Sequence, residues 1–267
     1  MNGSTTPGPM LSIYEKARYF HSLHVRGQPL VLFNIWDAGS AKAVEGSGAR
    51  ALATGSWSVA NANGYEDGER VSLDFAIENL ARIVRATHLP VTIDLESGYG
   101  RTPDTVGRTI ERSIDAGAIG CNIEDSDPAT GSLRGITEQV ARIEHARKAA
   151  EARQLPYFIN VRTDVFFVQA KPQTSDHERI ASVLERASAY AAAGADGLFV
   201  PGLVNATLIG QVAEASLLPV NIMVSDQTPS LRELASLGVA RVSHGPRPYL
   251  SAMKKLREAA CEAARMA

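Results

Sequence analysis

The sequence predicts a single (β/α)8 barrel of the TIM type. Two observations support this prediction: eight short apolar runs alternate with amphipathic stretches, and no change of composition marks a second domain within the 267 residues. Each run is apolar at consecutive positions, which is typical of parallel strands that are buried on both faces. The eight runs cover residues 30–34, 51–54, 91–94, 119–123, 157–161, 197–200, 220–223 and 240–243.

The stretches between the runs carry apolar residues at helical spacing. In residues 73–87 the apolar side chains fall on one stripe, and residues 105–116, 137–152 and 178–193 repeat this pattern. Glycine after a helix and proline before a strand mark the boundaries, because glycine adopts the left-handed helix cap and proline cannot continue a helix. These residues are Gly117, Gly194, Gly238, Pro90, Pro156 and Pro219.

The chain ends complete the predicted architecture. Residues 1–9 are polar and rich in Pro and Gly, so we expect a flexible tail, and residues 10–267 form the barrel domain. A leading helix over residues 11–25 would cover the bottom of the barrel. A doubly wound open sheet is the alternative, but the first turn, residues 34–39, lacks the glycine-rich dinucleotide fingerprint of that fold.

Composition excludes several classes of function. The chain carries 27 Lys and Arg against 29 Asp and Glu, a net charge of −2, which gives no basic surface for nucleic acid. No apolar stretch approaches the roughly 20 residues of a membrane-spanning helix. Cys121 lies in an apolar run far from Cys261, so we expect a buried thiol and no disulfide framework. A cytoplasmic protein is the expectation.

Polar residues gather where the predicted strands end. In barrels of this type the chemistry lies at the carboxyl ends of the strands, and a packed core would not select polar residues there. The residues at these ends are Asp37, Gly55, Ser56, Asp94, Glu96, Glu124, Asp125, Arg162, Asp164, Asn221, Ser243 and His244.

Three of these acids predict a metal site. Asp94 and Glu96 are two positions apart on one strand and share a face, and Glu124 ends the neighbouring strand. Crowded carboxylates repel one another unless a cation binds between them, and ligands that are all oxygen favour Mg²⁺ or Mn²⁺ over zinc. Asp125 and Asp164 could equally cap the helices that follow them.

The residues at the remaining strand ends limit which reactions the site could catalyse. Arg162 lies among the acids and could pair with one of them or hold a substrate carboxylate or phosphonate in bidentate fashion. Gly55 and Ser56 could present backbone N–H groups and a hydroxyl to an anionic oxygen, or form an ordinary tight turn. No lysine ends a strand, which disfavours a Schiff-base aldolase. Residues 243–246 make a poor phosphate cradle.

Several motifs in a fixed order resemble one known family. They are Asn-Ile-Trp-Asp-Ala-Gly in residues 34–39, Ala-Thr-Gly-Ser in 53–56, Asn-Gly-Tyr-Glu-Asp-Gly in 63–68, Asp-Leu-Glu-Ser-Gly-Tyr-Gly in 94–100, Asn-Ile-Glu-Asp in 122–125 and Asn-Val-Arg-Thr-Asp in 160–164. With residues 193–197 and 241–243 they extend over residues 12–255. In these motifs the chain resembles the isocitrate lyase/phosphoenolpyruvate mutase superfamily, especially its short bacterial members.

The resemblance implies a Mg²⁺-dependent enzyme that makes or breaks a C–C or P–C bond of a small 2-oxo or 2-hydroxy acid, with an enolate of pyruvate held on the metal. It implies metal-site acids Asp67, Asp94, Glu96 and Glu124, with Asp94 the most direct ligand. It also implies a homodimer or homotetramer that exchanges its last helix. The expected catalytic residues are Ser56, Glu124 and Arg162, and the expected substrate-binding residues are Trp36, Asp37, Gly55, Ser56, Arg162 and Asn221.

Two departures from the family pattern refine the expected function. Glu96 replaces the second aspartate of the metal motif. The loop of residues 126–134 lacks the Cys, His and Lys that the lyases carry there and the Lys and Asn of the mutases, so we expect it to act as an enclosing lid. We therefore expect a lyase-like enzyme that decarboxylates or cleaves a small oxo or hydroxy (di)carboxylic acid. A P–C bond enzyme and a barrel that binds an oxo acid without turnover are the alternatives.

Overall fold

The computed structural model describes residues 11–168 and 174–266, and within them the eight predicted strands form one parallel sheet. The predicted tail, residues 1–9, lies outside the described residues. Neighbouring strands follow the order β1-β8-β7-β6-β5-β4-β3-β2. The strands are β1 Leu30–Leu32, β2 Leu52–Ala53, β3 Val91–Asp94, β4 Gly120–Glu124, β5 Phe158–Arg162, β6 Gly197–Phe199, β7 Val220–Met223 and β8 Arg241–Ser243.

The sheet closes between its first and second strands. Just beyond β1, Ile35 forms a parallel bridge with Thr54. The Ile35 N–H donates to the Ala53 carbonyl at 2.9 Å, and the Gly55 N–H donates to the Ile35 carbonyl at 3.0 Å. This closure confirms the barrel and rules out the open doubly wound sheet. All eight strands are parallel, so their carboxyl ends form one mouth.

Ten helices surround or cap the strands within the described residues, and their positions follow the predicted pattern with one addition. The short helix α3 was not predicted; it begins at Ser56, directly after β2, with Gly55 as its N-cap. The helices are α1 Ile13–Ser22, α2 Ala38–Gly46, α3 Ser56–Ala62, α4 Leu73–Ala86, α5 Pro103–Asp115, α6 Ile136–Ala152, α7 Asp176–Ala192, α8 Ala206–Ala215, α9 Leu231–Ser236 and α10 Arg247–Arg265.

The leading helix covers the bottom of the barrel, as predicted, although it ends at Ser22 rather than near residue 25. Phe20 is fully buried and packs edge-to-face on Phe158, the first residue of β5, at 5.4 Å between ring centroids. His24 stacks on the same ring at 4.0 Å. The apolar contacts of α1 therefore close the end of the barrel opposite the mouth.

The barrel interior below the mouth is polar rather than purely apolar. Asn122, Asn160 and Asn221 are buried on their strands, and the Asn160 amide donates to Asn122 Oδ1 at 2.9 Å. Cys121 is buried and Cys261 is exposed, and both are free thiols, as predicted. In the part of the chain that the structure describes, no helix has both the length and the apolar character needed to cross a membrane.

Candidate active site at the barrel mouth

A partly buried arginine, Arg162, lies between two acids at the carboxyl ends of β4 and β5. The parallel register places Glu124 directly beside Arg162. Arg162 Nη1 lies 2.9 Å from Glu124 Oε2, and its Nε donates to Asp164 Oδ1 at 2.6 Å. Because both acids hold the guanidinium, its orientation is fixed before any ligand arrives. Burial lowers the pKa of Arg162, but the charges of Glu124 and Asp164 outweigh this effect and raise it.

Asp94 lies at the end of β3, next to the start of α3. Its Oδ2 accepts a hydrogen bond of 3.1 Å from the Ser56 N–H, and its own N–H donates to Thr54 Oγ1 at 2.9 Å. The first turn of α3 thus points a backbone N–H at the carboxylate, which is the usual way a helix N-terminus stabilises an anion. Sequence reasoning selected Ser56 for such a contact but missed both the helix that directs it and the contribution of Thr54.

Glu96 holds the loop that carries Asp67. Its Oε2 accepts hydrogen bonds from the N–H groups of Gly68 at 2.8 Å and Glu69 at 2.6 Å, and Tyr99 Oη donates to Oε1 at 3.0 Å. Glu96 has a φ of 49°, a left-handed conformation that is uncommon for a residue with a side chain. The carboxylate of Glu96 therefore stabilises the loop that carries Asp67, beside Asp94.

The acids of the mouth carry an excess of negative charge. Burial, together with the charges of Asp67 and Asp94, raises the pKa of Glu96 to about 7. Partial desolvation and the charge of Asp94 also raise the pKa of Asp67, against the opposing influence of Ser56 and Arg162. For Glu124, burial and the neighbouring acids raise the pKa, and Arg162 opposes them. One arginine does not balance this cluster, so its electrostatic field favours a further cation.

A divalent cation fits the donor set of this cluster, because its side-chain donors are all carboxylate oxygens. Among the described residues, however, no three His, Cys, Asp or Glu side chains converge closely enough to form a ready-made metal shell. An ion at the mouth would therefore be held directly by few side chains, and water would complete its coordination, as Mg²⁺ prefers.

The other expected substrate-binding residues lie in different settings. Asp37 is exposed and caps α2 by accepting a 2.7 Å hydrogen bond from the Ser40 N–H, so it contributes to the helix rather than to the acid cluster. Trp36 packs edge-on against Tyr249 at 5.2 Å. Asn221 is buried in the barrel interior and donates to Ser243 Oγ at 3.1 Å. Gly55 is the N-cap of α3.

Asp125 is the centre of a buried network and does not cap a helix. It accepts hydrogen bonds from the Asp164 N–H at 2.9 Å, from Arg186 Nη1 at 3.0 Å and from Tyr190 Oη at 2.9 Å. The helices that follow β4 and β5 are capped by Gly135 and Ser175 instead. Sequence reasoning missed Arg186 and Tyr190, and their spacing of four on α7 is the only signal that could have indicated a joint role.

The loop of residues 126–134 is a short hairpin that this network holds at its base. Ser126 forms an antiparallel bridge with Leu133, and the Asp127 N–H donates to the Ser132 carbonyl at 2.9 Å. Arg186 donates to the Arg134 carbonyl at 3.1 Å from both of its terminal nitrogens. Residues 128–132 at the loop tip are exposed, whereas these hydrogen bonds hold the base.

Comparisons with known proteins agree with this architecture. A family model described as phosphoenolpyruvate phosphomutase matches residues 20–264. The chain is 28% identical to the 2-methylisocitrate lyase of Escherichia coli strain K12 over 260 residues, which cover 94% of this chain and 83% of the relative. It is 32% identical to the oxaloacetate decarboxylase of Pseudomonas fluorescens strain SBW25 over 194 residues, which cover 69% of this chain and 62% of the relative.

A solved structure is similar in both sequence and fold. This crystal structure from Burkholderia cenocepacia J2315, provisionally named a phosphonomutase, superposes with a TM-score of 0.91 at 57% identity and covers 94% of this chain and 100% of that chain. The barrel and its mouth define a member of an enzyme family built on this fold. The chain belongs to the isocitrate lyase/phosphoenolpyruvate mutase superfamily, as its motifs indicated.

The network around Asp125 predicts a large effect of one substitution outside the mouth. Replacing Arg186 with Met leaves the fully buried Asp125 without its cationic partner, so the free energy of unfolding should fall by about 3 kcal/mol. Arg82→Met is the control, because Arg82 forms an exposed pair with Glu78 and lies 5.7 Å from the centroid of the Phe75 ring, so its loss should change stability by less than about 1 kcal/mol. Urea titration measures both, and equal losses would contradict a structural role for the network.

Proposed function

We propose that the chain is a divalent-metal-dependent lyase that decarboxylates a small 2-oxo or 2-hydroxy acid or cleaves its C–C bond. The observation that carries this proposal is the partly buried Arg162 beside the cluster of Asp67, Asp94, Glu96 and Glu124. The named relatives support it, since they include a 2-methylisocitrate lyase and an oxaloacetate decarboxylase. The guanidinium of Arg162 can bind an anionic oxo acid, and the acid cluster can bind the metal ion that such a reaction uses.

The four acids would contribute to ion binding in different ways. Asp94 is the best direct ligand for Mg²⁺ or Mn²⁺, because its position is fixed by Ser56 and Thr54. Asp67 and Glu124 would contribute through water. Both oxygens of Glu96 already accept hydrogen bonds, so Glu96 would act mainly by keeping Asp67 in place. When bound, the ion supplies Lewis-acid stabilisation of negative charge that develops on the substrate's oxo group.

The remaining residues bind and orient the substrate. Arg162 would hold its carboxylate, and because Glu124 and Asp164 fix the guanidinium in advance, little rotamer freedom is lost on binding. Gly55 and Ser56 are the expected contacts of an anionic oxygen of the substrate, and the Ser56 hydroxyl would make the hydrogen bond, because the two N–H groups already donate to Ile35 and Asp94. Glu124 can hold or move a proton at its carboxyl oxygen beside Arg162. Residues 126–134 would exclude water from the reacting acid.

The sequence of this loop favours decarboxylation over the reaction of the isocitrate lyases. Decarboxylation releases CO₂ and leaves the electron pair of the broken C–C bond on the oxo-acid fragment. This step does not require an acid from the loop, which carries no Cys, His or Lys. A P–C bond enzyme is the second candidate, because the similar structure from Burkholderia cenocepacia bears a phosphonomutase name. A barrel that binds an oxo acid without turnover is the third.

Turnover of a substrate panel tests the proposal. Oxaloacetate, 2-methylisocitrate and phosphonopyruvate are incubated with the full-length protein and Mg²⁺, Mn²⁺ or a chelator, and the release of pyruvate, together with the formation of phosphoenolpyruvate from phosphonopyruvate, is followed. We expect metal-dependent turnover of a carboxylic acid, and a fall in kcat/KM of at least roughly 100-fold in Asp94→Asn.

The matched control is Asp104→Asn, since Asp104 is exposed on α5 and forms only a surface pair with His145. Turnover of phosphonopyruvate alone would support the P–C bond enzyme. Binding of these acids without any product would support the non-catalytic barrel. Full activity in the presence of the chelator, or in Asp94→Asn, would contradict the proposed metal site.

We also propose that α10 is exchanged between subunits of a homodimer or homotetramer. In α10 only Pro248 is buried, and Leu250 and Leu256 are 50% and 63% exposed, which is unusual for an amphipathic helix of 19 residues. A groove of about 610 Å³ lies between β1 and α2. Its apolar lining includes Pro29, Val31, Phe33, Ala43 and Val44. An apolar groove on one copy and the exposed apolar face of α10 on another would complement each other.

A single charge placed on α10 tests this assembly. Leu256→Glu puts a carboxylate into the proposed interface and should shift the protein towards monomers in light scattering coupled to gel filtration. Glu262→Lys changes an exposed charge on the polar face of the same helix and should leave the assembly unchanged. A wild-type protein that is monomeric at micromolar concentration would contradict the exchange.

A further inference from the structure

An arginine side chain crosses the interior of the barrel below the mouth. Arg241 lies on β8 and is only 1% exposed, and its Nη2 donates to Asn122 Oδ1 on β4 at 3.1 Å. The amide of Asn160 on β5 donates to the same oxygen at 2.9 Å. Because β4 and β8 stand on opposite sides of the eight-stranded barrel, the guanidinium of Arg241 lies close to the barrel axis.

This guanidinium has no acidic hydrogen-bond partner. Among residues 11–168 and 174–266 no carboxylate forms an ion pair with Arg241, and its Nε and Nη1 donate to no protein atom. Burial lowers the pKa of Arg241 to about 9, against the charge of Asp94, so the side chain is a cation at neutral pH. Barrel interiors of this type are usually filled by branched aliphatic side chains, and a buried cation without a paired acid is destabilising. Packing therefore does not explain an arginine at this position.

The position of Arg241 relates it to the acid cluster above. In the register of β3 and β4, Asn122 is paired with Asp94. The oxygen that Arg241 holds thus belongs to the strand neighbour of Asp94, and Asp94 is the carboxylate whose charge acts most on Arg241. Charges interact strongly in such an enclosed interior, because little water screens them. The acid cluster therefore faces one cation at the mouth, Arg162, and a second cation inside the barrel.

The groups below Arg241 are neutral. His24 stacks on the ring of Phe158, and its Nδ1 lies 2.8 Å from the Phe20 carbonyl. Burial and the charge of Arg241 lower the pKa of His24 to about 3, and burial raises the pKa of Cys121 to about 12. Neither group carries a charge at neutral pH, so within the described structure the field of Arg241 is balanced mainly from the side of the acid cluster.

We propose that Arg241 is a positioning residue of the active site, whose charge acts on the acid cluster from inside the barrel so that the cluster binds a metal ion less tightly and an anionic substrate more tightly. This inference rests on the proposed function, which places both the ion and the oxo acid at the acid cluster. A fixed cation repels the metal ion and attracts the negative charge of the acid. Through Asn122 it also holds the strand beside Asp94. Residues that cost stability in this way are expected at functional sites.

Opposite shifts of two affinities test this role. Calorimetric titrations at mildly alkaline pH measure the Kd of Mg²⁺ alone, and the Kd of oxalate in saturating Mg²⁺, on the full-length protein. In Arg241→Met, Mg²⁺ should bind about tenfold more tightly and oxalate about tenfold more weakly, because the lost charge opposed the first ligand and favoured the second. The urea midpoint of unfolding should not fall, because an apolar side chain replaces an unpaired buried cation, and Asn160 still donates to Asn122.

Two further variants separate charge from hydrogen bonding and packing. Arg241→Gln removes the same charge but keeps a donor for Asn122, so both affinities should shift in the same directions as in Arg241→Met. Leu30→Ala is the packing control, because Leu30 is buried and is paired with Arg241 in the register of β1 and β8. This control should lower the urea midpoint without moving the two affinities in opposite directions.

Unchanged affinities in Arg241→Met would overturn the proposal, and so would wild-type affinities in Arg241→Gln. Weaker binding of both ligands together with a lower urea midpoint would show that Arg241 is purely structural. Failure of the proposed function has a different result, because neither Mg²⁺ nor oxalate then binds to the wild type.

Discussion

The mouth of the barrel depends on the ion pairs of Arg162 with Glu124 and Asp164. This guanidinium lies where two parallel strands end, and the register of β4 and β5 brings Glu124 next to it. A lone cation at this depth would be expensive to bury, and so would the acids without it. The pairs keep one strong hydrogen-bonding fork in place, and they leave the more distant Asp94 and Asp67 with negative charge that Arg162 does not neutralise.

Asp164 also connects the barrel mouth to the hairpin of residues 126–134. Asp164 accepts from Arg162 through one oxygen and from the Ser126 hydroxyl through the other, and its N–H donates to Asp125. Asp125 in turn is held by Arg186 and Tyr190, and Arg186 also holds the Arg134 carbonyl. A rigid base with an exposed tip is the arrangement that an enclosing loop needs, because the tip can move while the catalytic acids remain in place.

The acids of the barrel mouth could be predicted from the sequence, but their backbone conformations and hydrogen-bond partners could not. Asp94, Glu124 and Arg162 could be found because the parallel barrel places strand ends at one mouth, and the apolar runs marked where each strand ends. The left-handed backbone of Glu96 and the helix that begins at Ser56 could not, because both are imposed by tertiary contacts that have no local pattern. Asp37 shows the converse: a polar residue after a strand proved to be a helix cap, since Ser40 follows it at the right distance.

The burial of three arginine side chains could not be predicted from the sequence either. Arg134, Arg142 and Arg186 lie on or beside helices whose polar residues looked like solvated faces, yet their side chains are largely buried. Their burial depends on which loop carbonyl or acid each one meets, such as Ser97 for Arg142 and Asp125 for Arg186. Such partners are 45 and 61 residues away along the chain, beyond the reach of any periodicity.

In the proposed reaction, Arg162 and a metal at the acid cluster together bind a small oxo acid. Calorimetric titration of oxalate, a planar mimic of the enolate, measures this joint binding, with the wild type and Arg162→Lys each studied in Mg²⁺ and in chelator. We expect binding to the wild type only in Mg²⁺, and affinity about tenfold weaker in Arg162→Lys because lysine keeps the charge but loses the planar guanidinium. Equal oxalate affinity in the chelator, or in Arg162→Lys, would contradict this joint binding.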